Sequence, residues 1–146
     1  MGNILALDPG LHTGYAIFAN GVLVKAGVVT PDEHVSVPGN YLVVIESPAR
    51  IYSQGTVTSI LHLARCVGRY QERYSGHTVR LVAPRDWKGT IDGDIMAARI
   101  KATLSADTRD KLPKMAKSVE HNMLDAIGLG QWSLRQPWGR MRSGAI

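Results

Sequence analysis

Two apolar segments of this chain each end in a carboxylate, and this pattern constrains the fold more than any other feature. Residues 4–7 are followed by Asp8, and residues 41–45 are followed by Glu46. Runs this apolar are typical of strands buried on both faces, as parallel strands are in α/β folds. If the two strands are neighbours, their carboxyl ends place the acids roughly 5 Å apart. Carboxylates that close repel, and one takes up a proton unless a cation lies between them. The pattern therefore indicates a metal-dependent enzyme.

The composition predicts one domain with a cationic surface. The chain has 146 residues, and 17 Lys and Arg exceed 12 Asp and Glu to give a formal charge of +5. Nucleic acid is the natural partner for such a surface, although the same charge also serves solubility. No apolar stretch reaches the ~18 residues of a membrane span, so no membrane partner is expected. The single cysteine, Cys66, fits a reducing cytoplasm.

Strand patterns dominate the first part of the chain and helical patterns the second. The predicted strands are 3–8, 13–19, 21–28, 41–46 and 79–82, and the predicted helices are 53–74, 95–104 and 119–133. Asn20-Gly21 predicts a two-residue hairpin turn. Residues 29–40 are predicted to be a loop that crosses the sheet without a helix, because an extended chain spans ~3.3 Å per residue.

The second half is expected to begin its helices at polar caps. Asp94 and Ser118 are the predicted N-caps of the last two helices. Residues 105–117 are predicted to be a basic loop. The resulting domain organisation is a single domain over 1–135 and a basic, flexible tail over 136–146.

A third acid, Asp125, lies within the last predicted helix. His121 precedes it by four residues and shares its face. Small residues at 126, 128 and 130 would let this helix pack closely on the sheet. Burying a polar cluster on the packed side of a helix costs free energy unless its groups have partners. Two acids at strand ends facing this helix would give the cluster a role in a shared site.

Residues 8–16, Asp-Pro-Gly-Leu-His-Thr-Gly-Tyr-Ala, resemble the first motif of the RuvC family of Holliday-junction resolvases. Glu46 resembles the family's second catalytic acid, and residues 125–129 resemble its last motif. The resemblance implies an RNase H-like α/β fold: a mixed five-stranded sheet, with an antiparallel meander plus parallel strands, flanking helices and a shortened connection after strand three. It also implies a homodimer that resolves four-way DNA junctions by paired nicks, in DNA recombination and repair.

The compact pattern is most similar to phage-type relatives, so the expected setting is the cytoplasm of a bacterial or phage-infected cell. The implied chemistry is phosphodiester hydrolysis with two Mg²⁺ or Mn²⁺ ions per active site. In that arrangement Asp8 bridges both ions, and Glu46 and Asp125 each hold one. His121 is the candidate fourth ligand or general base. Asn122 stands three residues before Asp125, so the fourth position is open between His121 and Asn122.

Basic and aromatic residues near these acids are candidate DNA contacts. Arg50 is a candidate for phosphate and Tyr52 for stacking on an unpaired base. Trp87 follows the fifth strand and is either a core residue or close to DNA. The remaining phosphate candidates are Arg85, Lys88, Lys111, Lys114 and Lys117.

Several alternatives stay open at the level of sequence. Asp8 before Pro9-Gly10 also fits a plain turn. A related RNase H-like nuclease would act on other branched DNA or on structured RNA. A non-catalytic dimer would bind junctions without cutting them. A nucleotide-binding protein of the actin and sugar-kinase type would need two such domains, for which this chain is too short.

Overall fold

The computed structural model describes residues 2–48 and 57–140. The strands are β1 (Ile4–Asp8), β2 (Thr13–Ala19), β3 (Val22–Val29), β4 (Leu42–Glu46) and β5 (Thr78–Val82). The helices are α1 (Val57–Arg73), α2 (Pro84–Lys88), α3 (Gly93–Thr103), α4 (Ala106–Lys111) and α5 (Lys117–Arg135). All five predicted strands are confirmed. Predicted helix residues 53–56 lie outside the described residues.

The strands form one mixed sheet in the order β3-β2-β1-β4-β5. β1, β2 and β3 pair antiparallel, whereas β4 pairs parallel to both β1 and β5. The hairpin turn between β2 and β3 is confirmed, because Asn20 and Gly21 both have positive φ, at 50° and 78°. The connection from β3 to β4 contains no helix, as the sequence predicted. The predicted RNase H-like architecture is therefore confirmed.

Helices cover the sheet on both faces and divide the core in two. Alternate strand residues point to opposite faces. Ile4, Ala6 and Val44 face α3 and α5. Leu5 and Val43 face α1 and the loop before β4. Every residue from 4 to 7 is fully buried, which explains why β1 is apolar up to its last residue, Asp8.

The helical half departs from the sequence prediction in three places before α5. α2 was not predicted as a helix, although Pro84 in its first turn is a recognised helix-start signal. α3 is capped by Asp92, whose side chain accepts from the amide of Asp94, so Asp94 is not the cap. The predicted loop over 105–117 was wrong in part, because Ser105 caps the short helix α4.

The last helix begins earlier than predicted. α5 starts at Lys117 after Ala116, so Ser118 is already inside the helix and does not cap it. Beyond α5, the start of the predicted tail packs on the domain. Trp138 lies 5.8 Å from Trp132 between ring centroids, and the Arg80 guanidinium lies 4.5 Å from the Trp138 ring. Residues 141–146 lie outside the described residues, so the flexible tail as a whole stays a prediction.

Candidate active site

Asp8 and Glu46 end neighbouring parallel strands on the same side of the sheet. Leu7 pairs with Ile45, so the next residues, Asp8 and Glu46, stand side by side. Because side chains alternate along a strand, Asp8 follows Ala6 onto the face covered by α5, and Glu46 follows Val44 onto that face. The sequence pattern predicted this meeting of two carboxylates.

Asp125 reaches the same place from α5. Its side chain is only 6% exposed and faces the sheet. The close approach depends on small residues, as predicted from the sequence: a Cβ at Gly130 would overlap the Phe18 ring. β2 approaches equally closely, since a Cβ at Gly14 would overlap the backbone carbonyl of Asn122. Glycines on both elements therefore bring the third acid down to the strand ends.

Two consecutive side chains of α2 enter the acid cluster. The indole Nε1–H of Trp87 donates to Glu46 Oε2 over 2.6 Å. Lys88 Nζ lies 3.2 Å from Asp125 Oδ2 and 3.8 Å from Glu46 Oε2. Sequence reasoning treated Trp87 as core or DNA-facing and Lys88 as a phosphate contact, and it missed both contacts with the acids. The helix-start signal at Pro84 was the available hint, because a helical turn there directs both side chains back over the strand ends.

The crowding of negative charge changes the acid strengths of the cluster. Burial, and then the charges of Glu46 and Asp125, raise the pKa of Asp8 well above its ordinary value. Burial also raises the pKa of Glu46, although Lys88 and the Trp87 hydrogen bond oppose that shift. The contact between the Asp8 and Glu46 carboxyl groups adds to the rise in the pKa of Asp8 and opposes the rise in the pKa of Glu46.

Lys88 keeps its charge inside this cluster. Burial alone would lower its pKa, but the nearby carboxylates Glu46, Asp125 and Asp8 outweigh burial and raise it. The cluster therefore combines one carboxyl group whose pKa is raised, Asp8, with a cation that lies between the other two, Glu46 and Asp125.

His121 stands at the rim of the cluster, one turn before Asp125 on α5. Its Nε2 lies 3.6 Å from Asp125 Oδ2, and its side chain is 38% exposed. The ring also lies against Gly93, where a Cβ would come within 3.1 Å of Cε1. Of the two candidates for the fourth position, His121 is the one that contacts an acid of the cluster. Asn122 contributes its backbone to the packing against Gly14.

The turn that carries the first motif is fixed by a buried hydroxyl. Thr13 Oγ1 donates to the carbonyl of Gly10 over 2.9 Å and accepts from the Gly10 amide over 3.3 Å. It also accepts from the Tyr70 hydroxyl of α1 over 2.7 Å. The segment directly after Asp8 is therefore tied to a helix on the opposite face of the sheet.

The carboxylate oxygens of the cluster are suitable ligands for a hard divalent cation, but in this structure they contact the ammonium group of Lys88. Carboxylate oxygens are the ligands that Mg²⁺ prefers. Oδ1 of Asp125 is buried and has no hydrogen-bond partner among the described residues, which leaves one acceptor available for a cation. Within residues 2–48 and 57–140, however, no three Asp, Glu, His or Cys side chains converge closely enough to form a ready-made metal site.

The structure describes five of the seven residues predicted to contact DNA. Arg50 and Tyr52 lie outside the described residues. Arg85 is an exposed residue of α2, the helix that also carries Trp87 and Lys88. Lys111 on α4 pairs with Asp107 over 2.9 Å, and Lys114 and Lys117 are exposed. No helix in the described part of the chain is long and apolar enough to cross a lipid bilayer.

Comparison with solved structures identifies the architecture. A structure of Thermus thermophilus RuvC in complex with a Holliday junction substrate superposes with a TM-score of 0.55 at 15% sequence identity, covering 91% of this chain and 92% of that one. This chain has the RuvC fold. A second T. thermophilus RuvC structure gives a TM-score of 0.53 at 13% identity, covering 90% and 92% of the two chains. No protein-family model matches the sequence, and no curated protein is significantly similar to it.

Proposed function

We propose that this protein is a metal-dependent endodeoxyribonuclease that resolves four-way DNA junctions by paired nicks. The observation that carries the proposal is the meeting of Asp8, Glu46 and Asp125 at one edge of a RuvC-fold sheet. Nothing in a structural core requires three acids there, because burying like charges together is costly. A site that binds a cation and a phosphodiester would explain why three acids lie there despite that cost.

The residues of the chain divide the work of hydrolysis. Asp8, Glu46 and Asp125, with His121 as a candidate fourth ligand, would hold Mg²⁺ or Mn²⁺, two ions per site. When bound, these ions would supply charge stabilisation at the phosphate and an activated water. Trp87 fixes the rotamer of Glu46 through its hydrogen bond. If His121 is not a ligand, its exposed ring at the rim is the candidate general base.

Two further parts of the proposal concern the DNA and the assembly. A four-way junction has near two-fold symmetry and needs two nicks, which a homodimer with two sites would match. The formal charge of +5 and the basic residues on α2, on α4 and before α5 would bind phosphates. We place this activity in the cytoplasm of a bacterial or phage-infected cell.

The direct test is cleavage of a synthetic four-way junction with Mg²⁺ or Mn²⁺. We expect Asp8→Asn to abolish nicking while junction binding persists and weakens steeply with added salt. Asp32→Asn is the matched control, because Asp32 is an exposed acid paired with Arg69 over 2.7 Å, away from the site. Normal cutting by Asp8→Asn would refute the role of Asp8.

Paired nicking and substrate choice need separate assays. On a supercoiled plasmid that extrudes a cruciform, two nicks within one bound complex yield linear DNA, whereas single nicks yield open circles. Preferential cutting of flaps, forks or structured RNA would instead favour a related RNase H-like nuclease.

A non-catalytic junction-binding dimer is the second candidate, favoured by the Lys88 ammonium at the acids. It predicts junction binding without nicks under every metal condition.

A further inference from the structure

We propose that Lys88 is a built-in competitor for the divalent-cation site, so that its ammonium must leave the acids before a metal ion binds. The inference rests on the proposed metal-dependent function and adds a regulatory element to it. Lys88 Nζ contacts carboxylate oxygens from two different elements, Asp125 Oδ2 of α5 and Glu46 Oε2 of β4. These are oxygens that a divalent ion would use, so the ammonium and the ion exclude each other.

The position of Lys88 is built into the fold. It is the last residue of α2, and its side chain is 22% exposed, so the ammonium can reach solvent without unfolding the site. Its neighbour Trp87 is held by Glu46, and the Lys88 ammonium lies 5.1 Å from the centre of the Trp87 ring. The ammonium thus contacts the ring face and the two carboxylates at the same time, and the ring contact remains favourable for a cation that moves away from the acids.

Competition has a physical purpose in the metal-free protein. Three carboxylates at one edge of the sheet repel one another when no cation is present, and Lys88 offsets that repulsion until metal arrives. Displacement then releases a positive charge at the mouth of the site, where an incoming phosphate can use it. By linkage, anything that draws Lys88 away from the acids strengthens metal binding, and metal binding makes Lys88 available by the same factor. DNA and metal would thus favour each other's binding through one side chain.

The test measures Mn²⁺ binding to DNA-free protein by electron paramagnetic resonance, which reports free Mn²⁺. Lys88→Met removes the charge at similar length and should bind Mn²⁺ about 10- to 100-fold more tightly than wild type, the usual range for coupled ligands. Lys88→Gln also removes the charge and can still donate a hydrogen bond, so it answers the question if the methionine variant fails to fold. Lys25→Met is the matched control: Lys25 is exposed on β3, two strands from β1.

A second readout is thermal stability. Without metal, Lys88→Met should melt at a lower temperature than wild type, and added Mn²⁺ should raise its melting temperature by more than it raises that of wild type. Lys25→Met should respond to Mn²⁺ as wild type does.

The outcomes separate this inference from the proposed function. Equal or weaker Mn²⁺ binding by both Lys88 variants, with binding still lost in Asp8→Asn, would overturn the competition and leave the metal site standing. Failure of every protein, wild type included, to bind Mn²⁺ would overturn the metal site and the competition together. Tighter Mn²⁺ binding by both Lys88 variants, but not by Lys25→Met, would support the competition.

Discussion

Replacing Trp87 with phenylalanine removes one hydrogen bond from the candidate active site and keeps most of the aromatic packing. The lost bond, 2.6 Å from Nε1 to Glu46 Oε2, reaches a carboxylate whose side chain is only 13% exposed. A hydrogen bond to a charged group contributes about 1.5–3 kcal/mol to stability. We therefore expect the free energy of unfolding of the metal-free protein at pH 8, measured by urea denaturation, to fall by about 1.5–3 kcal/mol.

Two controls isolate that hydrogen bond from the change in ring size. Trp132→Phe is the same substitution on α5, where the indole N–H has no hydrogen bond to a described residue and the ring contacts Trp138. In a Glu46→Gln background the bond is neutral, so Trp87→Phe should cost only about 0.5–1.5 kcal/mol. The difference between the two backgrounds is the contribution of the charge.

The same substitution should also shift the pH dependence of cutting. The Trp87 hydrogen bond lowers the pKa of Glu46 against the burial that raises it. Without the bond this pKa rises further, so the acid limb of the pH–rate profile moves to higher pH, because a carboxylate must be deprotonated to hold a cation. Two results together would refute the positioning role of Trp87. The first is a loss of stability that equals that of Trp132→Phe within about 0.5 kcal/mol, the usual limit for additive sites. The second is an acid limb of the pH–rate profile that does not shift.

Four other substitutions test the site and its surroundings. Gly14→Ala forces β2 away from the backbone of α5 and should cost about 3 kcal/mol or more in urea denaturation, whereas Gly68→Ala, with open space around it, should stabilise α1 by about 0.5–1 kcal/mol. Tyr70→Phe removes the donor to Thr13 and should lower the free energy of unfolding by about 1 kcal/mol. If this hydrogen bond holds the turn after Asp8 in place, the nicking rate should fall by more than the lost stability explains. A fall in nicking that the lost stability explains in full would show that the contact serves packing only. Burial, first, and the neighbouring carboxylates raise the pKa of Asp8, so the folded state holds this proton more tightly than the unfolded state. Without metal, wild type should therefore lose stability as pH rises above the ordinary value of 3.8, and Asp8→Asn should lose less and be the more stable protein at neutral pH, as thermal melts across pH would reveal.

The sheet and its acids were predictable because both follow from local patterns. Continuous apolar runs indicated buried parallel strands, and the carboxylate at the end of each run fixed the edge where Asp8 and Glu46 meet. Asp125 was predictable because helical spacing placed it on the packed face of α5, next to small residues.

The surroundings of the acids were not predictable in the same way. The contacts of Trp87 and Lys88 depend on where the five residues of α2 lie after β5, and a helix this short leaves little periodicity to read. The two predicted caps were each wrong by two residues. For α3 the reason is that Asp92 and Asp94 are equally good capping residues in sequence, and only the backbone conformation at Asp92 selects between them. Whether a lysine faces phosphate or a carboxylate depends on tertiary contacts that composition does not report.

The position of α5 has a consequence for how the protein is made. β1 and β4 leave the ribosome early, but the helix that covers β1 and β2 and carries Asp125 is synthesised long afterwards. Until that helix emerges, one face of β1 and β2 lacks the helix that covers it, and the third acid does not exist. The proposed nuclease activity would therefore begin only when translation has passed the last helix.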